Sequence, residues 1–222
     1  MNLVLITSII SPPNKPLSYT RTRSVFNTEE RFNDTKKTIE SIKAKIPNYY
    51  IAIVECSKLS IEQEKYFKSN SNYFVNFYNK KNIRDNVYSK YKAIGESTQT
   101  INIIKSILEN VKDIDFKNFI KISGRYWLSN KFDFSIFDND KIVVKQINKN
   151  KQNILTALYK IPFKYIIELK IFFINEQNVY KRGIGFEVSF SKFPTKYKDI
   201  TIYLDKINLQ GQVSIDGNMY DG

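Results

Sequence analysis

The chain has 222 residues, 42% hydrophobic and 14% aromatic, with 35 Lys and Arg against 22 Asp and Glu, a formal charge of +13 and no histidine. The absence of histidine excludes Ser-His-Asp and Cys-His catalysis and removes the commonest ligand of zinc and iron sites, so a general base must be Asp or Glu, or else Lys or Tyr. The single cysteine, Cys56, excludes an internal disulfide, suits a reducing compartment and reads as a small residue at a strand end.

Residues 3–10 read as a first core strand: the segment has no basic leader and is too short to span a bilayer. No segment approaches the ~18–20 continuous apolar residues of a membrane span, and a cytoplasmic location is expected. The connection Ser11 to Asn27 follows, with Pro12, Pro13 and Pro16 forbidding regular structure and Arg21 and Arg23 in its polar second half. A structureless stretch of that length is usually functional or disordered. Asn27 or Thr28 then caps a helix carrying Phe32, Thr35, Ile39, Ile42 and Ile46 at helical spacing, ended by Pro47. Tyr49 to Glu55 is a near-continuous apolar run, as in a strand buried on both faces. Ser60 to Ser69 is a short polar helix, Tyr73 to Tyr78 a strand and Asn79 to Ser89 a polar loop. A long helix from Gly95 or Ser97 to Asn110 follows, and then an apolar strand from Phe116 to Ile122.

This alternation predicts a parallel α/β sheet with right-handed crossovers over the first 125 residues. Beyond it, Lys141 to Ile147 and Asn153 to Leu158 read as strands, antiparallel in expectation. Tyr165 to Phe173 and Gly185 to Phe193 read as helices, and the tail as a pair of short strands. No internal repeat or linker interrupts residues 1–222, so one domain is expected. The densest basic cluster, Lys145, Lys149 and Lys151, reads as a solvated face.

The most informative string is Lys121-Ile-Ser-Gly-Arg-Tyr-Trp127. It ends a buried strand in a glycine turn and presents a guanidinium, a phenol and the only Trp where α/β sheets bind ligands. A rigid fork of donors there suits a phosphate or diphosphate.

The order of elements and these strings together resemble the nucleotide-sugar glycosyltransferases of the GT-A fold. Tyr91-Lys-Ala-Ile-Gly-Glu96 stands where that family has its donor-side motif. Lys121-Ile-Ser-Gly-Arg125 stands at the family's Asp-x-Asp place, and the segment 23–31 with Thr35, Thr38 and Ser41 also looks similar. The match looks closest to bacterial and viral polysaccharide-type transferases. The resemblance implies a GT-A-like, Rossmann-like, mostly parallel sheet flanked by helices. Residues 1–127 would form a nucleotide-sugar-binding half and 128–222 a mixed acceptor-side half. It implies transfer of a sugar from a nucleotide-sugar donor to a hydroxyl of a glycan or polysaccharide precursor, with no transmembrane segment and no specific nucleic acid as partner.

It also implies site roles. Arg125 and Glu187 would be catalytic. Thr7, Ser8, Arg21, Arg23, Glu55, Lys92, Gly95, Glu96, Lys121, Ser123, Gly124 and Tyr126 would bind donor, and Trp127 and Asp216 would lie on the acceptor side. Glu187 follows two glycines where inverting members carry their base; a Glu at a helix N-terminus favoured by the dipole is the equal alternative. Glu55 would contact the nucleoside or cap a strand end. The chain departs from the family in having no Asp-x-Asp at 121–127. Mn or Mg remains open as a cofactor, with Asp138 and Asp140 the weak alternative ligands, since Asp-Asn-Asp is ordinary turn chemistry. Fixed cations can stabilise the leaving diphosphate in a metal's place. Two other readings stand beside this one. The charge could serve a basic nucleic-acid-binding module, or the fold could be an inactive transferase kept as an assembly protein.

Overall fold

The computed structural model describes residues 1–148 and 153–222; Lys149 and Lys151 of the basic cluster lie outside them. The strands are β1 (Asn2–Thr7), β2 (Tyr49–Glu55), β3 (Tyr73–Asn76), β4 (Asn118–Ser123), β5 (Tyr126–Leu128), β6 (Ile142–Gln146), β7 (Ile154–Pro162), β8 (Thr201–Leu204), β9 (Leu209–Gln212) and β10 (Met219–Asp221). The helices are α1 (Thr28–Lys45), α2 (Ile61–Ser69), α3 (Lys81–Val87), α4 (Lys92–Asn110), α5 (Ile166–Asn175), α6 (Gln177–Lys181), α7 (Phe186–Phe190) and α8 (Lys192–Lys196).

Seven strands form one sheet in the order β3-β2-β1-β4-β7-β6-β8. All run in one direction except β7, which is antiparallel to both neighbours. Helices cover both faces, and β1 shows how the sequence arranges this. Leu3 and Leu5 point to one core with Ile103, Ile104 and Ile107 of α4, while Val4 and Ile6 point to the other with Phe32, Ile39 and Ile42 of α1. Successive strand residues face opposite sides, so a strand buried on both must be apolar throughout. The mainly parallel, helix-flanked α/β sheet expected from the sequence is present. β6 and β7 pair antiparallel, as expected of the second half.

A smaller antiparallel sheet, β10-β9-β5, brings the chain's tail beside the segment that follows β4. It is fixed to α1 by a row of hydroxyls. Thr35 donates to the Gly124 carbonyl at 2.7 Å, Thr38 to the Tyr126 carbonyl at 2.7 Å, and Ser41 accepts from the Leu128 N–H at 3.0 Å. Hydroxyls three apart on the helix thus engage alternate backbone residues of the segment 124–128.

Local chemistry sets several boundaries. Asn27 and Ser60 cap α1 and α2 as capping boxes with Glu30 and Gln63. The first strand stops at Thr7 rather than Ile10, because Ile9 and Ile10 bend away into the connection. Residues 79–89, expected to be loop, contain the short helix α3. No side chain caps it, and it is held by tertiary packing of the buried Val87 against Gly95 of α4. α4 itself begins at Lys92 rather than Gly95, so the Lys92–Glu96 string is its first turn. The helix expected over 185–193 is two short helices, α7 and α8, since Pro194 has no N–H to give the Phe190 carbonyl. The tail holds three strands rather than two: β8 joins the large sheet, and β9 and β10 join the small one.

Candidate active site

Thr7 and Ser123 are register partners that end β1 and β4 side by side. Strand order reverses there, since β2 and β3 lie on one side of β1 and β4 on the other, and open α/β sheets bind ligands at such a switch point. A cleft at this place holds about 960 Å³ including its open mouth. The ends of β1 and β4 contribute Thr7 and Ser123, with Ser8 and Gly124 just beyond them; α4 contributes Lys92, Gly95, Glu96 and Gln99, and α1 contributes Arg31 and Thr35. Pro12, Leu17, Tyr19 and Arg23 of the long connection complete it with Arg125, Tyr126 and the tail residues Val213 to Ile215.

Ten residues expected from the sequence therefore meet in one cleft: Thr7, Ser8, Arg23, Lys92, Gly95, Glu96, Ser123, Gly124, Arg125 and Tyr126. Glu187 lies in an adjoining cavity that shares Tyr19 and Lys92 with the cleft. Its carboxylate accepts from the Thr156 hydroxyl at 3.3 Å. Lys121 is fully buried behind the lining and donates to Ser123 Oγ and the Thr156 carbonyl, both at 2.7 Å. Burial brings its pKa down to about 8, against the attraction of Glu96.

Four expected residues lie elsewhere. Arg21 is exposed and outside the cleft lining. Glu55 is wholly buried; its carboxylate accepts from the N–H groups of Ile10 at 3.3 Å and Cys56 at 2.8 Å, so it shapes the chain behind the cleft instead of facing it. Burial raises its pKa despite those bonds. Trp127 turns toward α1, with Lys37 Nζ 4.9 Å from its ring centroid. Asp216 is an exposed turn residue that accepts from the Asn218 N–H at 3.0 Å.

The cleft is electropositive. Arg23 donates to the carbonyls of Lys15, Val87, Tyr88 and Ser89, fastening the connection to the end of α3. Arg125 spends one N–H on the Gln212 carbonyl at 2.7 Å, and burial lowers its pKa. Lys92 pairs with Glu96 at 3.3 Å, one turn along α4. Glu96 holds the Lys92 ammonium above its ordinary range, against burial. Burial pushes Glu96 up, but Lys92, Lys121 and Arg125 outweigh it and keep the carboxylate below its ordinary range. Its Oε2 is buried without a hydrogen-bond partner.

Arg31 belongs to the cleft and was not expected. It is 7% exposed and donates to the Ile9 carbonyl at 2.8 Å and to the hydroxyls of Ser24 at 3.1 Å and Ser214 at 3.2 Å. Burial, followed by the nearby Arg125, lowers its pKa to about 9. The signal was present in the sequence: Arg31 precedes Thr35 by one helical turn and so shares its buried side.

These residues do not fit a divalent metal. The end of β4 offers a hydroxyl, a glycine and a guanidinium, and the one carboxylate among the described lining residues is paired with Lys92. Among the described residues no three His, Cys, Asp or Glu side chains converge. Asp138 and Asp140 are a turn, with Asp138 paired to Lys117 at 2.8 Å and the intervening Asn139 carbonyl taken by Lys160. A hard cation needs several oxygen ligands, and neither place supplies them.

The mainly parallel, helix-flanked sheet is similar in fold to a solved structure. A protein of Desulfovibrio desulfuricans G20 assigned as a nucleotide-diphospho-sugar transferase superposes with a TM-score of 0.51 at 6% identity, covering 91% of this chain and 79% of its own. A glycosyltransferase involved in glycosylation of the major capsid of PBCV-1 aligns at TM-score 0.48 and 11% identity over 92% of this chain and 81% of its own. Mouse xyloside xylosyltransferase 1 aligns at 0.49 and 8% over 92% and 85%. The first of these, at 6% identity, establishes fold alone. No family model and no curated protein sequence matches the chain. Among the described residues no helix is long and apolar enough to cross a membrane.

Proposed function

We propose that the protein is a glycosyltransferase that moves a sugar from a nucleoside-diphosphate donor to a hydroxyl of a glycan or polysaccharide precursor, working in the cytoplasm. The observation that carries this reading is the gathering of Arg31, Arg125 and Lys92 around one switch-point cleft, with a single carboxylate among the described lining residues. Guanidinium forks match diphosphate oxygens. Fixed cations in a partly desolvated site stabilise the charge that grows on a departing diphosphate. The nucleoside would lie toward Thr7, Ser8 and Leu17, and the sugar toward Glu96.

In the reaction the acceptor oxygen bonds to the anomeric carbon, the carbon–oxygen bond to the diphosphate breaks, and the acceptor's proton passes to a base. Glu187 is our choice of base, since it stands in the adjoining cavity and forms no salt bridge among the described residues. Arg125 takes the counter-charge role at the place where the family the sequence resembles carries Asp-x-Asp. Donor binding is ascribed to the ten cleft-lining residues, with Arg31 added.

The test is turnover of a nucleotide-sugar panel by the full chain, with and without chelator. Arg125→Ala should abolish turnover while leaving the circular-dichroism spectrum unchanged; wild-type turnover by that variant would remove Arg125 from the mechanism. Tight, steeply salt-dependent binding of DNA or RNA with no turnover would favour the nucleic-acid alternative.

A further inference from the structure

We infer that the cavity adjoining the cleft is a subsite for one neutral sugar ring of the acceptor; this rests on the transferase reading and deepens it. The cavity holds about 390 Å³ including its mouth and is lined by Tyr19, Tyr91, Lys92, the loop 183–186 and Glu187. Tyr19 and Lys92 line the main cleft as well, so a ligand in the cavity abuts one in the cleft.

The aromatic wall depends on a glycine. Gly183 has φ +87°, and a Cβ there would stand 3.4 Å from Cε1 of Tyr91, so the left-handed residue lets the loop lie against that ring. Lys90 Nζ lies 5.1 Å from the same ring's centroid, and the Lys90 carbonyl accepts from the Ser18 N–H at 2.9 Å, tying the connection to this wall.

The mixture of groups selects the ligand. A tyrosine ring packs against the C–H face of a pyranose while its hydroxyl remains free to hydrogen-bond. The Glu187 carboxylate accepts from sugar hydroxyls, and the Tyr19 phenol both donates and accepts. An acidic sugar is disfavoured, because Glu187 and Glu96 flank the junction, Lys92, the one ammonium among the described lining residues, is already paired at 3.3 Å, and Lys121 lies behind the lining, held by Ser123 and the Thr156 carbonyl. A ring hydroxyl held on Glu187 would sit at the passage into the donor cleft, where transfer requires it. Trp127 and Asp216, expected on the acceptor side, take no part in this cavity.

The experiment is saturation-transfer NMR on the full chain with methyl glucoside, methyl galactoside and methyl N-acetylglucosaminide, glucuronate serving as the acidic control. Calorimetric titration with UDP and GDP runs in parallel. At least one neutral glycoside should give transfer from tyrosine protons, at least tenfold weaker in Tyr91→Ala and retained in Tyr91→Phe. Ile184→Trp fills the cavity from an exposed loop position, 43% accessible, and should block binding without disturbing the core. Absence of any neutral-glycoside signal, survival of that signal in Ile184→Trp, or preference for glucuronate would overturn the subsite. Glycoside binding that Ile184→Trp blocks, without nucleotide binding, would keep the subsite and remove the donor reading.

Discussion

The Thr35 hydroxyl lies 2.7 Å from the carbonyl of Gly124, joining the middle of α1 to the turn that presents Arg125. The contact leaves no room for a larger residue, because a Cβ on Gly124 would stand 3.1 Å from Thr35 Oγ1 and 3.3 Å from Cβ of Ser8. Gly124→Ala should therefore cost about 1–3 kcal/mol through overpacking. Thr35→Val should cost about 1–3 kcal/mol by leaving a buried carbonyl unpaired. Urea denaturation measures both; values within 0.3 kcal/mol of wild type, well under that range, would show that the turn is held elsewhere.

Arg31 binds the connection through Ile9 and Ser24 and the tail through Ser214 while lining the cleft. Arg31→Gln should lower nucleoside-diphosphate affinity by about tenfold or more, the effect of losing a charge-assisted hydrogen bond worth about 1.5–3 kcal/mol. Calorimetric titration with UDP and GDP reads this. Unchanged affinity would confine Arg31 to a structural role.

Glu187→Gln should reduce turnover by about 10²–10⁴-fold, the usual contribution of a general base, while donor affinity is kept. Glu96→Gln makes the contrast: it removes a negative charge from the donor cleft and should strengthen binding of free nucleoside diphosphate. Turnover unchanged in Glu187→Gln would pass the base role to another group.

Two buried lysines make stability depend on pH. Burial lowers Lys121 and Lys160 to about 8, below the ordinary lysine value of 10.5. Between those limits the unfolded chain binds more protons than the folded one, so stability rises with pH. Below pH 8 both states are protonated and the full cost of burying the charges is present. Above about 10 the gain is opposed, because tyrosines such as Tyr159 and Tyr180 are raised by burial and ionise more readily when unfolded. The denaturation midpoint should climb from pH 7.5 to about 9.5, and Lys121→Met should flatten the climb. A wild-type profile that is flat or falling across this window would contradict the buried-ammonium account.

Apolar runs and caps made most of the first half legible. Tyr49 to Glu55 was read to the residue, and Asn27 and Ser60 marked helix starts, because a strand buried on both faces and a capped helix both leave local patterns. α3 left none: Asn82, Asp85, Asn86 and Val87 are weak helix formers, no side chain caps it, and only packing on α4 makes the turn worth forming. The three-strand tail was hidden for a related reason, since β9 pairs with β5, whose partner residues lie more than eighty positions earlier.

By itself the amino-acid order determined the parallel front of the sheet, the glycine turn after β4 and the residue types available for chemistry, all of which follow from side-chain periodicity and backbone preference. Tertiary closure alone decided which charges share a space. It drew Arg31 into the cleft, left Glu55, Trp127 and Asp216 outside it, and set Glu187 in a neighbouring cavity. Burial and proximity between distant segments are properties of the packed chain, and no local pattern encodes them.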